Sequence, residues 1–297
     1  MKIVDFENVH RAYSEAVDVL DGVTFSIEAG QVVGLLGKNG AGKTTLLRIA
    51  MGMIEAQQGS VRVFGLDPRQ EALEVKRRVG YVSEEQILSP FLRVDQVIAL
   101  HKGLFPTWDD ELARDMIDRF SIPGRQKIKT LSKGQARQVA LLCAVAHRPE
   151  LLLLDEPAGG LDPAARREFL ETSIQLLNET GTTILFSSHY MTDVERLADR
   201  IVMIHDGRVL IDNELDELRE GYSLALVPQN GQVSRDQLLD LDGCLGVRDR
   251  PDALHAVFEM EPERVGALLH REIGLGDARC TRIALEEMFI ELAGGQG

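Results

Sequence analysis

Four uninterrupted apolar runs punctuate the chain: QVVGLLG from residue 31, LLLLD from 151, TTILFSS from 182 and RIVMI from 200. Runs of this length with helical stretches between them predict parallel strands buried on both faces. Residues 1–30 follow another rhythm. There KIVDF and VTFSIEAG read as short strands, Asp21-Gly22 gives a turn signal, and GSVRVFG at 59–65 reads as a strand of the same kind. Between about 84 and 147 helical spacing takes over, in RVDQVIALHKGLF, TWDDELARDMIDRF and KGQARQVALLCAVAHR, with breaks at Pro106 and Pro123. A mostly helical subdomain inserted into an α/β core accounts for this order. After Gly221 the pattern resets. YSLALVP and LHAVFEM predict strands; SRDQLLDL, EPERVGALLH and TRIALEEMFIELAG predict helices. The expected organisation is therefore residues 1–221 as one domain and 222–297 as a small α/β accessory domain with a frayed Gly-Gly-Gln-Gly tail.

Composition narrows the classes of function. The 297 residues include 33 Lys and Arg against 47 Asp and Glu, a net charge of −14. Nucleic-acid binding needs basic surface to displace counterions, and anionic lipid attracts the same charge, so neither partner is expected to bind directly. No apolar run reaches the ~18 residues of a membrane helix. Asp5 and Glu7 interrupt the start where a secretory leader would be apolar, so a soluble, cytoplasmic chain is expected. Cys143, Cys244 and Cys280 lie far apart without a C-x-x-C, which excludes a disulfide framework or zinc site, and Cys143 reads as core.

The chemistry begins in GLLGKNGAGKTTL. Gly37-x-x-x-x-Gly42-Lys43-Thr44 is a complete phosphate-binding loop, placed between an apolar run and a helical segment. Backbone amides along Gly37, Lys38, Asn39, Gly40, Ala41, Gly42, Lys43, Thr44 and Thr45 would curl around phosphate, which glycines allow by having no Cβ. Lys43 would reach the β- and γ-phosphates, Thr44 would offer a hydroxyl to Mg²⁺, and Thr45 would begin a helix whose dipole faces the anion. Downstream, LLLLDEP ends a strand in Asp155 and Glu156. Alone it reads better as an ordinary strand end followed by a solvated turn; with the loop upstream, Asp155 suits the metal through water and Glu156 suits the attacking water. Asp162 before Pro163 is a good N-cap, which leaves room for a role at an interface. His189 follows another buried strand, where a lone His serves structure or reaches a γ-phosphate. In KTLSKGQARQ, Ser132 and Gln135 have the spacing of a capping box, and the same helix start could meet phosphate.

Taken in order, GKNGAGKTT, LSKGQ, LLLLDEP, GGLDP and SSH strongly resemble the ATP-binding subunits of ABC transporters, over residues 1 to about 221. The resemblance implies a P-loop NTPase core with an N-terminal antiparallel β subdomain, the inserted helical subdomain and the small C-terminal α/β appendage. It implies ATP and Mg²⁺ as cofactors, a head-to-tail dimer (with itself or a related ATPase subunit) around two ATP molecules, and an integral-membrane partner docked near residues 84–105. The protein would sit peripherally at the inner face of the membrane. FPTWDDELARDMIDRF is similar to the ABC-2-type, mostly exporter, branch.

By the same resemblance, Lys43, Glu156 and His189 are catalytic, and Thr44, Asp155 and Glu84 serve the metal. Ser132, Gly134 and Gln135 meet the ATP of the partner subunit. Tyr13 matches the aromatic that stacks on adenine, although a strand-edge Tyr is nearly as good a reading from the residues alone. Two departures stand out. Lys133 replaces the first Gly of the LSGGQ signature, and Glu84 stands where the family has Gln, with Gln86 two residues on. The competing reading from another class is a soluble ATP switch with a regulatory, non-transport role; a binding-only subunit is disfavoured by Asp155, Glu156 and His189.

Overall fold

The computed structural model describes residues 1–14, 17–85, 88–178, 181–229, 233–276 and 278–294. The chain opens with two long strands, β1 (Lys2–Ser14) and β2 (Val17–Glu28), followed by β3 (Val32–Leu36), helix α1 (Lys43–Ala50) and β4 (Gln58–Val63). Next, α2 (Ala72–Arg78) runs into β5 (Val79–Val82). Helices α3 (Val94–Leu104), α4 (Asp110–Arg119) and α5 (Lys133–Val145) then precede β6 (Leu151–Leu154). Then come α6 (Pro163–Asn178), β7 (Thr183–Ser188), α7 (Met191–Leu197), β8 (Arg200–His205) and β9 (Arg208–Glu214), the last of which runs across the unit boundary. Two compact units divide at Asp212 and Asn213.

In the first unit β2-β1-β4 form an antiparallel sheet, and a second sheet has the order β5-β6-β7-β3-β8-β9. The pairs β5–β6, β6–β7, β7–β3 and β3–β8 are all parallel. Every residue of β3, β6 and β7 is buried, which is why their sequences are unbroken apolar runs rather than alternations. The leucines of β6 divide between the faces. Leu151 and Leu153 join Phe6, Phe25, Leu46 and Leu47 in one core between the sheets, while Leu152 approaches Gly80 on the side of α5. Truncating Leu153 to Ala would cost about 2–5 kcal/mol at such a site. A Cβ on Gly80 would come within 2.2 Å of the Ala144 carbonyl, so a glycine is what lets α5 lie this close to the sheet. Asp206 and Gly207, at φ 45° and 74°, make the two-residue turn between β8 and β9.

Asp21-Gly22 is not a turn. Both residues lie inside β2, where the register shifts between the Val9–Val23 and Arg11–Leu20 pairs, and Gly22 takes φ 75°. The glycine accommodates a β-bulge while the strand continues, so residues 1–30 form long strands instead of short ones. The helical insertion is as expected, with Pro106 and Pro123 just beyond the ends of α3 and α4. No helix among the described residues is long and apolar enough to cross a membrane.

The second unit begins with Asn213 and contains α8 (Leu215–Glu220), β10 (Ser223–Pro228), α9 (Arg235–Leu239), β11 (Cys244–Asp249), β12 (Ala253–Phe258), α10 (Pro262–Ile273), β13 (Arg279–Arg282) and α11 (Leu285–Gly294). From β10 to β13 the order is βαββαβ. The sheet runs β11-β12-β10-β13 with antiparallel neighbours, a split-βαβ, ferredoxin-like arrangement. The TRI of TRIALEEMFIELAG is therefore not the start of a helix: Thr281 and Arg282 pair with β10, and the helix begins at Leu285.

Candidate active site

Parallel pairing sends the C-terminal ends of β3, β7, β6 and β5 to one edge of the sheet, the usual ligand edge of such folds. The loop after β3 is glycine-dependent for stated reasons. A Cβ on Gly37 would lie 2.6 Å from the Ile204 carbonyl; Gly42, at φ 102°, would place one 2.5 Å from Leu20 Cδ2. Lys43 follows at the start of α1 and is only 5% exposed. Its ammonium donates to the carbonyls of Gly37 (2.7 Å) and Lys38 (3.2 Å) and lies 3.3 Å from Glu156 Oε1. A buried lysine needs such partners.

Asp155, 1% exposed, directly follows β6. The hydroxyls of Thr44 and Ser187 both donate to its Oδ1, each at 2.9 Å. Its Oδ2 is buried with no hydrogen-bond partner among the described residues. Burial pushes the Asp155 carboxyl above its usual range, and the Glu156 charge adds to this against the two hydroxyl bonds. An orphaned, buried carboxylate oxygen beside a threonine hydroxyl is a hard-oxygen donor set of the kind Mg²⁺ takes.

Glu156 is 7% exposed and sits at φ 44°, a left-handed backbone that a glutamate rarely adopts. Surrounding contacts hold it there. Its amide donates to Ser187 Oγ (2.8 Å), its carbonyl accepts from Arg137 (3.3 Å), and its Oε2 lies 2.9 Å from His189 Nδ1. The His189 ring is tilted against Tyr190, centroids 3.9 Å apart, and the Arg166 guanidinium lies over the Tyr190 ring.

A cleft of about 460 Å³ gathers Tyr13, Asn39, Gly40, Gly42, Lys43, Thr44, Thr45, Glu84 and Glu156. Tyr13, 57% exposed, stands with its hydroxyl 3.4 Å from Thr45 Oγ1. Lys38 is exposed beside Asn39, and Ala41 is buried with its amide donating to the Lys38 carbonyl. Ser132, Gly134 and Gln135 do not line this cleft. Ser132 caps α5 instead: Gln135 N–H donates to Ser132 Oγ (3.1 Å), and the Ser132 amide donates to Gln135 Oε1 (3.0 Å). Asp162 likewise accepts from the Ala165 amide at the start of α6. Gln86 lies outside the described residues.

Two residues of the site were not singled out in the sequence. Ser187 bridges the Asp155 carboxylate and the Glu156 amide; its signal is a hydroxyl in an apolar strand, since a buried hydroxyl requires a partner. Arg137 gave no signal, because an arginine on a helix most often faces water.

Residues 20–159 match the ABC transporter family. The chain is 30% identical to the ABC transporter ATP-binding protein YtrB of Bacillus subtilis (strain 168), over 96% of this chain and 98% of that protein. It is 32% identical to the daunorubicin resistance ATP-binding protein DrrA3 of Streptomyces coeruleorubidus, over 93% and 91%. A solved ATP-binding subunit of an ABC transporter superposes with a TM-score of 0.65 at 29% identity, covering 73% of this chain and 92% of that one. ATP-binding cassettes of this kind dimerise and work with transmembrane partners. With a relative matched from end to end and the phosphate loop in its structural place, the chain belongs to the ABC transporter family as an ATP-binding, ATP-hydrolysing subunit.

Proposed function

We propose that the chain forms a head-to-tail dimer that closes on two ATP molecules and drives export through a separate transmembrane subunit. The observation that carries this reading is the division of the motif residues. Lys43, Thr44, Asp155, Glu156 and His189 meet at one sheet edge, whereas Ser132, Gly134 and Gln135 stand outside that cleft. A second copy, turned about, would bring its own helix start to the first copy's phosphates, and two equivalent sites follow from the symmetry.

Each residue then has a task. Loop amides and Lys43 hold the phosphates, and Tyr13 at the mouth stacks on the base. Thr44 and Asp155 would hold Mg²⁺, with Glu84 at its side, and the ion would supply charge neutralisation at the phosphate oxygens. Glu156 takes a proton from the attacking water, and His189 fixes the carboxylate and reaches the γ-phosphate. Ser132, Gly134 and Gln135 of the second copy complete the anion cradle, and Asp162 lies at the same interface. Little covalent chemistry is asked of the protein; positioning and charge do the work.

A larger groove of about 790 Å³ lies between the helical insertion and the sheet, lined by Tyr81 to Glu85, Leu104, Phe105 and His147 among others. Its apolar lining and its continuity with Glu84 suit it to receive the transmembrane partner. Export as the direction is supported by the likeness to a drug-resistance ATP-binding protein. The deciding experiment is the light-scattering mass of the Glu156→Gln protein with and without Mg-ATP. A shift from monomer to dimer supports the closed sandwich; a persistent monomer with ATP bound overturns it for the isolated chain.

A further inference from the structure

Arg137 stands just inside α5, two residues beyond Gln135. It is half-buried, and burial depresses its pKa. A desolvated guanidinium usually settles on a carboxylate. Here its hydrogen bonds end on backbone carbonyls: Glu84 at 2.8 Å, Gly159 at 3.0 Å and Glu156 at 3.3 Å. These belong to two loops, one after β5 and one after β6, and the planar fork reaches both at once. The Glu156 backbone is thereby held from two sides, its amide by Ser187 of β7 and its carbonyl by Arg137 of α5, at the left-handed φ of 44°.

We infer that Arg137 is a positioning residue for hydrolysis: it ties the helix that starts at Ser132 to the loops of Glu84 and Glu156, and so fixes where the Glu156 carboxylate points. A left-handed glutamate reverts to a commoner backbone unless its surroundings over-determine it. Releasing the carbonyl lets the peptide turn, and the carboxylate turns with it. The same fork makes any movement of the Glu84 loop felt at the start of α5, with no contact to the phosphate loop required. The inference rests on the assignment of Glu156 as the base.

The test uses the full chain and two substitutions, alone and together. Arg137→Lys keeps the charge but replaces the fork by a single ammonium, which cannot span three carbonyls. The expected result is a kcat lower by roughly 10- to 100-fold, the scale of a misplaced catalytic group, with KM for ATP not raised because the phosphate loop is untouched. In a Glu156→Gln background, Arg137→Lys should cause no further loss of residual turnover, since both act through one carboxylate. An equal loss in both backgrounds overturns the inference, as does an unchanged kcat in the single variant. A rise in KM alongside a lowered melting temperature would assign Arg137 to fold stability and also overturn it. If Glu156→Gln itself hydrolyses normally, the base assignment fails instead, and this inference with it.

Discussion

Lys43 Nζ and His189 Nδ1 hold opposite oxygens of one carboxylate: the first lies 3.3 Å from Glu156 Oε1, the second 2.9 Å from Oε2. The lysine that would grip phosphate is thus shared with the proposed base. A γ-phosphate at Lys43 competes with the Glu156 charge and is repelled by it. Glu156→Gln should therefore bind ATP more tightly while turnover falls by about 10²- to 10⁴-fold, the usual contribution of a general base. Equilibrium binding beside single-turnover hydrolysis checks both halves. Weaker ATP binding in the variant would mean the carboxylate orders Lys43 more than it competes for it.

Asp155 carries a stability cost that depends on pH. Burial raises its folded pKa above the ordinary 3.8, so the folded chain holds the proton more tightly than the unfolded one. The stability this gives is complete below 3.8 and is lost as pH rises through the folded value. At neutral pH without Mg²⁺, Asp155→Asn should then raise the melting temperature. The gain should vanish near pH 4. Thermal melts across pH, with and without Mg²⁺, read this directly; a variant less stable at every pH would refute it.

Glu84 lines the phosphate cleft, and its carbonyl is held by Arg137. A carboxylate there is a charged hard-oxygen ligand, where a glutamine offers only a neutral carbonyl oxygen. Glu84→Gln should raise the Mg²⁺ concentration for half-maximal ATPase activity by about tenfold, the low end for losing a group around a metal. An unchanged Mg²⁺ titration would remove Glu84 from the metal's surroundings.

Much of this arrangement was legible because the residues concerned answer to short-range rules. LLLLD and TTILFSS, with helical stretches between them, read as strands buried on both faces, and they are β6 and β7. The S-x-x-Q of LSKGQ specified a capping box, and it forms. Asp21-Gly22 misled because a left-handed glycine serves a bulge as readily as a turn, and only the partner strand decides between them. β11 and β13 escaped notice because CLGVRD and RCTR lack the alternation of a half-buried strand. The Arg137 fork was invisible for a different reason: it joins residues 53 and 22 positions away in sequence, and nothing local requires it.

In the second unit Glu291, 4% exposed, brings α11 onto the sheet through Arg250 at 2.7 Å and His255 at 3.2 Å. Gly246 leaves room for this helix, since a Cβ there would come within 3.0 Å of Leu292 Cδ2. Glu291→Ala would strand two basic groups against an apolar face. The expected loss is about 3 kcal/mol, the low end for breaking a buried pair, because Arg250 keeps some access to water. Urea unfolding measures it. Glu291→Met, which fills the volume but also leaves both bases unpaired, should remain destabilised; full recovery would show that packing, not charge, is what Glu291 contributes.

Ser132 separates two roles of one helix start. Within a single chain its hydroxyl accepts the Gln135 amide, and Gln135 returns the bond to the Ser132 amide. Ser132→Ala loses that cap and should cost about 1 kcal/mol of stability. Gln135 could not compensate, because its side chain already serves the other half of the box. If capping were the whole of it, ATP-driven dimerisation would survive in proportion to the folded fraction, which a loss of this size hardly changes. The proposed trans contact demands more: Ser132→Ala should bind ATP as a monomer yet fail to dimerise in the Glu156→Gln background. Gly134→Ala separates the effects further, since a Cβ there meets only Leu161 at 3.7 Å and Ser132 Oγ at 3.9 Å within its own chain. That methyl is tolerated by the monomer fold and would intrude only where a partner's phosphate approaches. Monomers by light scattering for both variants, with ATP bound, are the expected result; normal dimers would leave Ser132 with the capping role alone.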